Sequence, residues 1–137
     1  MHVSIYTDGG ARGNPGPAAT GVVIKNNDGK ILEEYGEYLG QTTNNVAEYS
    51  ALISALSTAK NIGATEVSCY LDSKLVVEQL NRNWKVKQPH IQSLFVKAWN
   101  ILQNFSSYSL SYIPREKNKE SDAWVNKILD ERNKKTP

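Results

Sequence analysis

The chain reads as an α/β domain in which helices flank a mixed five-stranded sheet, antiparallel through strands 1-2-3 and parallel through strands 1-4-5. Three observations predict this. Apolar residues alternate with period two at the start of the chain and again near residues 67 and 108. Between and after those runs the spacing changes to that of a helix. A tight-turn signal, Asn26-Asn27-Asp28-Gly29, joins the second and third apolar runs and demands an antiparallel hairpin there, whereas a strand reached through a helix pairs parallel and right-handed.

Val3, Ile5 and Thr7 alternate with His2, Ser4 and Tyr6 in a first strand that is expected to end at Asp8, before the glycine-rich run from Asp8 to Pro17. Thr20 to Ile24 forms the second strand and Ile31 to Leu39 the third. From Thr43 the apolar positions Val46, Tyr49, Leu52, Ile53, Leu56, Ala59 and Ile62 recur at helical spacing, and Gly63 stands where a left-handed cap would. Val67, Cys69 and Leu71 make a short fourth strand ending at Asp72, and Ser73 to Leu80 returns to helical spacing. Trp84 to Pro89 is a basic connector closed by proline. It leads into a helix with Ile91, Leu94, Phe95, Ala98, Ile101 and Leu102 on one face. A fifth strand covers Tyr108 to Ile113, a loop Pro114 to Asn118, and a last helix Lys119 to Arg132.

A chain of 137 residues is the size of one core, so residues 1–133 are expected to form a single domain and 134–137 a frayed tail. With 39% hydrophobic and 22% charged residues and a mean hydropathy of −0.50, it is neither a disordered nor a fibrous sequence. No apolar stretch is long enough to cross a bilayer, and the amino terminus lacks the basic-then-apolar order of a secretory signal. One cysteine, Cys69, excludes an internal disulfide and a cysteine-rich zinc site and fits a reducing cytoplasm. Sixteen basic against fourteen acidic residues permit an anionic partner without requiring one.

Four acidic residues fall where strands end or helices begin: Asp8, Glu48, Asp72 and Asp122. Each has a structural explanation that serves as well when taken alone. Asp8 suits a turn before Gly9-Gly10. Glu48 follows Asn45 at the spacing of a capping box, Asp72-Ser73 suits an N-cap, and Asp122 stands in the first turn after the candidate cap Asn118, where the helix dipole favours negative charge. Together they read differently. Adjacent strand ends lie about 4.8 Å apart, and clefts open beyond the carboxyl ends of such strands. If strands 1 and 4 are neighbours, Asp8 and Asp72 meet, with Glu48 and Asp122 in reach from their helices. Carboxylates so close repel unless cations intervene, and an all-oxygen ligand set suits Mg²⁺, or Mn²⁺ in its place, rather than zinc. Two such ions roughly 4 Å apart would activate a water and stabilise the leaving oxygen of a phosphodiester.

The blocks Tyr6-Thr7-Asp8-Gly9-Gly10-Ala11-Arg12-Gly13-Asn14-Pro15-Gly16-Pro17 and Thr42-Thr43-Asn44-Asn45-Val46-Ala47-Glu48-Tyr49 resemble type 1 ribonuclease H. The similarity continues through Leu71-Asp72-Ser73 and Pro114 to Ala123, in order, over essentially the whole chain. It implies a ribonuclease H-like sheet and hydrolysis of the RNA strand of RNA/DNA hybrids to 5′-phosphate and 3′-hydroxyl ends. It assigns Asp8, Glu48, Asp72 and Asp122 to the metals. Reading 2′-hydroxyls across a shallow minor groove suits amides, which both donate and accept, and the resemblance implies that Asn14, Asn44 and Asn45 contact the sugar edge. By similarity Thr43 seats a phosphate of the DNA strand. A turn role for Asn14 and a cap role for Asn45 remain open beside this reading. Trp84, with Arg82, Lys85 and Lys87 around it, offers a stacking surface among phosphate-neutralising charges, or equally a packing residue in a solvated loop. Trp99 and Trp124 are expected in the core.

The chain departs from the family pattern in two places. Many relatives carry a histidine in the loop before the last carboxylate, and here that loop has none; Arg115 is the first candidate to face the phosphate instead, and His2 and His90 are expected to be structural or exposed. Lys74 stands where relatives commonly have glutamine and is expected to contact phosphate. The leading expectation is a monomeric, metal-dependent endonuclease with no obligate protein partner and no membrane contact. Two alternatives stand beside it: a nucleic-acid-binding module without chemistry, and another polynucleotidyl transferase or nuclease on the same scaffold.

Overall fold

A computed structural model describes residues 1–134, so the expected tail lies outside the described residues from position 135 onward. In chain order the elements are β1 (His2–Ala11), β2 (Gly16–Lys25), β3 (Ile31–Thr42), α1 (Asn44–Asn61), β4 (Glu66–Leu71), α2 (Lys74–Leu80), α3 (Pro89–Leu102), β5 (Ser107–Tyr112), a 3₁₀ turn (Arg115–Lys117) and α4 (Lys119–Lys134). The last helix therefore runs one residue into the expected tail. The sheet order is β3-β2-β1-β4-β5, with β1-β2 and β2-β3 antiparallel and β1-β4 and β4-β5 parallel, as expected.

The first hairpin is longer than the sequence suggests. β1 does not stop at Asp8 but continues to Ala11, pairing Asp8 with Gly21 and Ala11 with Ala18, and β3 reaches Thr42 opposite Gly16. The glycines that read as a turn lie largely within the strands. Gly9 shows why: a Cβ there would lie 2.2 Å from the carbonyl carbon of Ala47, so only glycine lets β1 run beneath α1 at this distance.

α1 buries a broad arc. Tyr49, Leu52 and Leu56 are fully covered and pack on Val3, Ile5, Val67, Cys69 and Leu71 of the sheet and on Ala98 and Leu102 of α3. Each such aliphatic side chain contributes about 1.5–3 kcal/mol of burial. The helix ends as expected at a left-handed Gly63 (φ +93°). The Gly63 N–H donates to the Lys60 carbonyl and the Ala64 N–H to that of Ala59, which satisfies the last free carbonyls. Its start differs from expectation. Thr43, not Asn45, is the N-cap, accepting the Val46 N–H through its hydroxyl at 3.3 Å, so Glu48 lies beyond the first turn and is released from any capping box.

α4 packs on the opposite face, over β1, β2 and β3, through Val125 and Leu129 against Ala19. Its approach depends on Gly21, where a Cβ would stand 1.9 Å from the Ser121 carbonyl oxygen. Neither Trp99 nor Trp124 enters the core. Trp99 is half-buried, stacked on Phe95 and covered by Arg82, and Trp124 is half-buried, donating to Glu34 Oε1 at 2.9 Å beneath Lys127. Both rings have a polar handle or a cation to satisfy, which holds them at the edge of their helices. His2 is structural, bridging Asn27 Oδ1 (2.7 Å) and Ser68 Oγ (2.8 Å), while His90 is exposed.

Candidate active site

β1 and β4 are parallel neighbours with Thr7 opposite Leu71, so the next residues, Asp8 and Asp72, emerge side by side. Ser73 caps α2 by accepting the Val76 N–H at 3.3 Å, which leaves the Asp72 carboxylate free of a capping role. Glu48 descends from α1 onto the same point, where Gly9 donates its N–H to Oε1 at 3.1 Å. Carboxylate oxygens of Asp8, Glu48 and Asp72 thereby lie within 4.8 Å of one another. Asp8 and Glu48 are only 6% and 8% exposed.

Asp122 lines the same cleft, a cavity of about 500 Å³, but is not one of the clustered three. Its Oδ1 accepts from Arg115 Nη2 at 3.2 Å and its Oδ2 from Asn126 Nδ2 at 3.3 Å, which holds the carboxylate at the rim.

The electrostatics follow from burial and crowding. Burial first, and the charge of Asp72 second, push the Asp8 carboxyl up to about 8. Glu48 is raised well above the ordinary carboxylate range by burial and then by Asp8 and Asp72. Burial also raises Asp72, against the opposing hydrogen bonds from Asp8 and Asn118 and the charge of Arg115. Glu48 Oε2 and Asp72 Oδ1 are buried without any hydrogen-bond partner. Buried carboxylate oxygens lacking donors, in an all-oxygen set, are the environment that a hard divalent cation satisfies, so these residues fit such an ion.

The expected substrate residues surround this cleft unevenly. Asn14 Oδ1 accepts the Asn44 N–H at 3.0 Å and Asn44 Oδ1 accepts the Ala11 N–H at 2.8 Å, tying the hairpin tip to the start of α1. Their Nδ2 groups have no protein acceptor among the described residues. Asn45 faces a second groove of about 580 Å³ with Trp84, Lys85 and Lys87. Trp84 is 45% exposed there, so it is not a core residue. Lys74, at the start of α2, is exposed.

Two supports escaped the sequence reading. Asn118 is buried, donates Nδ2 to the Thr7 carbonyl at 2.7 Å and accepts from Ser121 Oγ at 2.6 Å, bolting the start of α4 to β1 beside Asp8. Tyr49 donates to Gln79 Oε1 at 2.6 Å inside the core, and Gln79 Nε2 reaches the Lys85 carbonyl at 3.3 Å, anchoring the Trp84 loop. Neither pair has a sequence signal, because each joins residues brought together only by folding.

Comparison with known proteins agrees with this geometry. The model of the reverse transcriptase-like family matches residues 6–128. The bifunctional protein Rv2228c of Mycobacterium tuberculosis is 44% identical over 131 residues, covering 95% of this chain and 36% of the relative. Ribonuclease HI of Halobacterium salinarum is 42% identical over 129 residues, covering 94% of this chain and 65% of the relative. This chain thus spans about a third of the first relative's length and about two thirds of the second's. The crystal structure of RNase H1 from Halobacterium salinarum superposes with a TM-score of 0.93 at 41% identity, covering 96% of this chain and 99% of that one. LC11-RNase H1, solved in complex with an RNA/DNA hybrid, superposes at 0.90 with 44% identity and coverages of 95% and 98%. With strand order, acidic cluster and sequence all in agreement, the chain belongs to the type 1 ribonuclease H family.

Proposed function

We propose that the protein is a divalent-metal-dependent endoribonuclease that hydrolyses the RNA strand of RNA/DNA hybrids, leaving 5′-phosphate and 3′-hydroxyl ends, with Mg²⁺ as its ion. One observation carries the reading: three carboxylates from three separate elements converge within 4.8 Å, and two of their buried oxygens lack any partner. A hybrid is the ligand held by LC11-RNase H1, a relative of nearly full mutual coverage.

In this reading Asp8, Glu48 and Asp72 hold the metal, and Asp122 completes the set from the rim. Bound divalent ions supply activation of the attacking water and neutralise charge on the leaving oxygen. The protein's own groups position the substrate. Because the amide oxygens of Asn14 and Asn44 are committed to backbone N–H groups, their Nδ2 groups are the ones that donate to 2′-hydroxyls. Asn45 does the same from the rim of the second groove. Thr43 accepts the Val46 N–H and keeps its hydroxyl proton for a phosphate of the DNA strand. Trp84, with Lys85 and Lys87, takes that strand by stacking and charge, and Lys74 meets a phosphate. Arg115, held by Asp122 and facing the cleft, steadies the phosphate being cut in place of a loop histidine. Residues 1–133 are the catalytic domain, acting as a monomer in a reducing cytoplasm.

The test is a parallel digest of hybrid, double-stranded RNA, single-stranded RNA and DNA, with and without Mg²⁺. Cleavage of hybrid RNA that requires the metal and disappears in Asp8→Asn and Asp72→Asn supports the proposal. Cleavage that survives chelation, or none with fresh protein under Mg²⁺ and Mn²⁺, overturns it.

A further inference from the structure

One half of the sheet has a helix over only one of its two faces. Val3 and Ile5 point under α1, so the alternate residues Ser4 and Tyr6 point the other way, and register aligns them with Ser68 and Tyr70 of β4 and with Ser109 and Ser111 of β5. α4 packs only over the β1-β2-β3 side, and Ser107, Ser109 and Ser111 are exposed. An edge strand whose outward row is all serine leaves a flat, hydroxyl-bearing surface.

An aromatic ladder crosses this surface. Lys25 Nζ lies 5.3 Å from the centroid of Tyr6, and Tyr6 stacks on Tyr70 with centroids 5.0 Å apart and planes at 22°. The next position in the row is Ser111, whose short side chain cannot continue the stack. Among the described residues no other ring and no cation covers the second side of Tyr70. The spacing of neighbouring strands, about 4.8 Å, is wide enough for one more planar group in that row.

This surface leads directly to the carboxylates. Tyr6 stands two residues before Asp8 on the same strand and face, roughly 7 Å away, and Tyr70 two residues before Asp72, which directly follows the end of β4. At the junction a cleft is lined by Tyr6, Lys25, Lys117 and Lys119 together with Glu116 and Glu120. Glu120 is engaged by Lys25 at 2.6 Å, whereas Lys117 and Lys119 are exposed and have no ion-pair partner among the described residues. Two unpaired ammonium groups at the Tyr6 end of a ladder whose Tyr70 end is open suit a polyanion that carries planar bases.

We propose that the uncovered face of β1, β4 and β5 is a second nucleic-acid site, holding an unpaired strand that continues from the duplex by stacking a base on Tyr70 over Ser111 and setting its phosphates against Lys117 and Lys119. It rests on the reading that the carboxylate cleft takes a hybrid. The enzyme then favours hybrids that end in, or branch into, single strand over fully paired ones.

The experiment measures binding by fluorescence anisotropy in Mg²⁺, using Asp8→Asn as a background that does not cleave. A blunt hybrid is compared with hybrids extended by ten unpaired nucleotides at each end of each strand. The expected result is that at least one extension tightens binding about tenfold, the size of one base stack. The gain is lost in Tyr70→Ser and in the exposed pair Lys117→Glu/Lys119→Glu, while blunt-hybrid affinity stays within twofold. Equal affinity for blunt and extended hybrids, or a gain that survives both sets of substitutions, overturns the proposal. If no hybrid binds, the hybrid reading itself has failed. The face is then tested with the unpaired ten-nucleotide strand alone, whose retention must depend on Tyr70 and the two lysines; failure there overturns the site as well.

Discussion

Replacing Asp8 by asparagine removes the central carboxylate while keeping its shape, and the structure predicts a more stable metal-free protein. The Asp8 carboxyl is pushed from 3.8 up to about 8 on folding. Between those values the folded chain keeps a proton that the unfolded chain has lost. The group's contribution is therefore fully present below pH 3.8, declines as pH rises, and is gone above about 8. At 1.36 kcal/mol per unit an isolated group would lose roughly 6 kcal/mol across that window. Asp72 helps raise Asp8, and Glu48, itself raised by Asp8, is relieved when that charge is removed, whereas Asp72 loses a hydrogen bond from Asp8 that favours its charged form. Water entering the open cleft softens the burial, so a net gain of about 2–4 kcal/mol is expected for Asp8→Asn at pH 8.5. For a chain of this length that is a rise of roughly 8–15 °C in Tm. The assay is thermal unfolding of both proteins at pH 5.5 and 8.5, in chelator and in Mg²⁺. In chelator the two differ less at pH 5.5 and the variant melts higher at pH 8.5. In Mg²⁺ the wild type recovers, because an ion that binds only the folded state stabilises it. An Asp8→Asn protein that melts at or below wild type in chelator at pH 8.5 would refute the reasoning.

Other perturbations probe separate parts of the molecule. Gly21→Ala sets a methyl against the Ser121 carbonyl and should cost about 3 kcal/mol in urea unfolding; a loss below 1 kcal/mol would mean that α4 shifts freely. Tyr49→Phe strands the buried Gln79 Oε1 and should cost about 1–3 kcal/mol by the same measurement. Arg115→Ala should lower kcat on hybrid about tenfold with KM changed less than threefold, and Arg115→Lys should restore part of it; an unchanged kcat would place the guanidinium outside the reaction. Trp84→Ala combined with Lys85→Ala and Lys87→Ala should raise KM about tenfold with kcat intact and flatten the slope of log affinity against log salt by about 1.5; an unaltered slope would remove this loop from the phosphate path.

What could be read in advance depended on whether the signal was local. The period-two and helical runs located every strand and helix, and Gly63 and the Asn26–Gly29 turn marked boundaries, because their backbone requirements are met by the residue itself. The run from Asp8 to Pro17 misled for the opposite reason. Gly9 is not there to turn the chain but to let α1 come within touching distance, a requirement set by Ala47, nearly forty residues away. The cap of α1 was misplaced by two residues because Thr43, Asn44 and Asn45 are all good caps. The hairpin decided between them by supplying the Ala11 N–H that engages Asn44.

The carboxylates occupy a middle case. Their positions at strand and helix ends are local, and strand order then determines that Asp8 and Asp72 must meet, so the cluster was legible once β1 and β4 were taken as neighbours. The division of labour within it was not. Asp122 belongs to the rim because Arg115 and Asn126 hold both its oxygens, whereas Glu48 Oε2 and Asp72 Oδ1 stay buried without donors. A fold selected for stability alone would supply those donors or replace the acids with apolar groups. Leaving them unanswered makes the metal-free state the less favourable one. The most unfavourable feature of the protein's electrostatics is therefore also the one that a hard divalent cation would relieve.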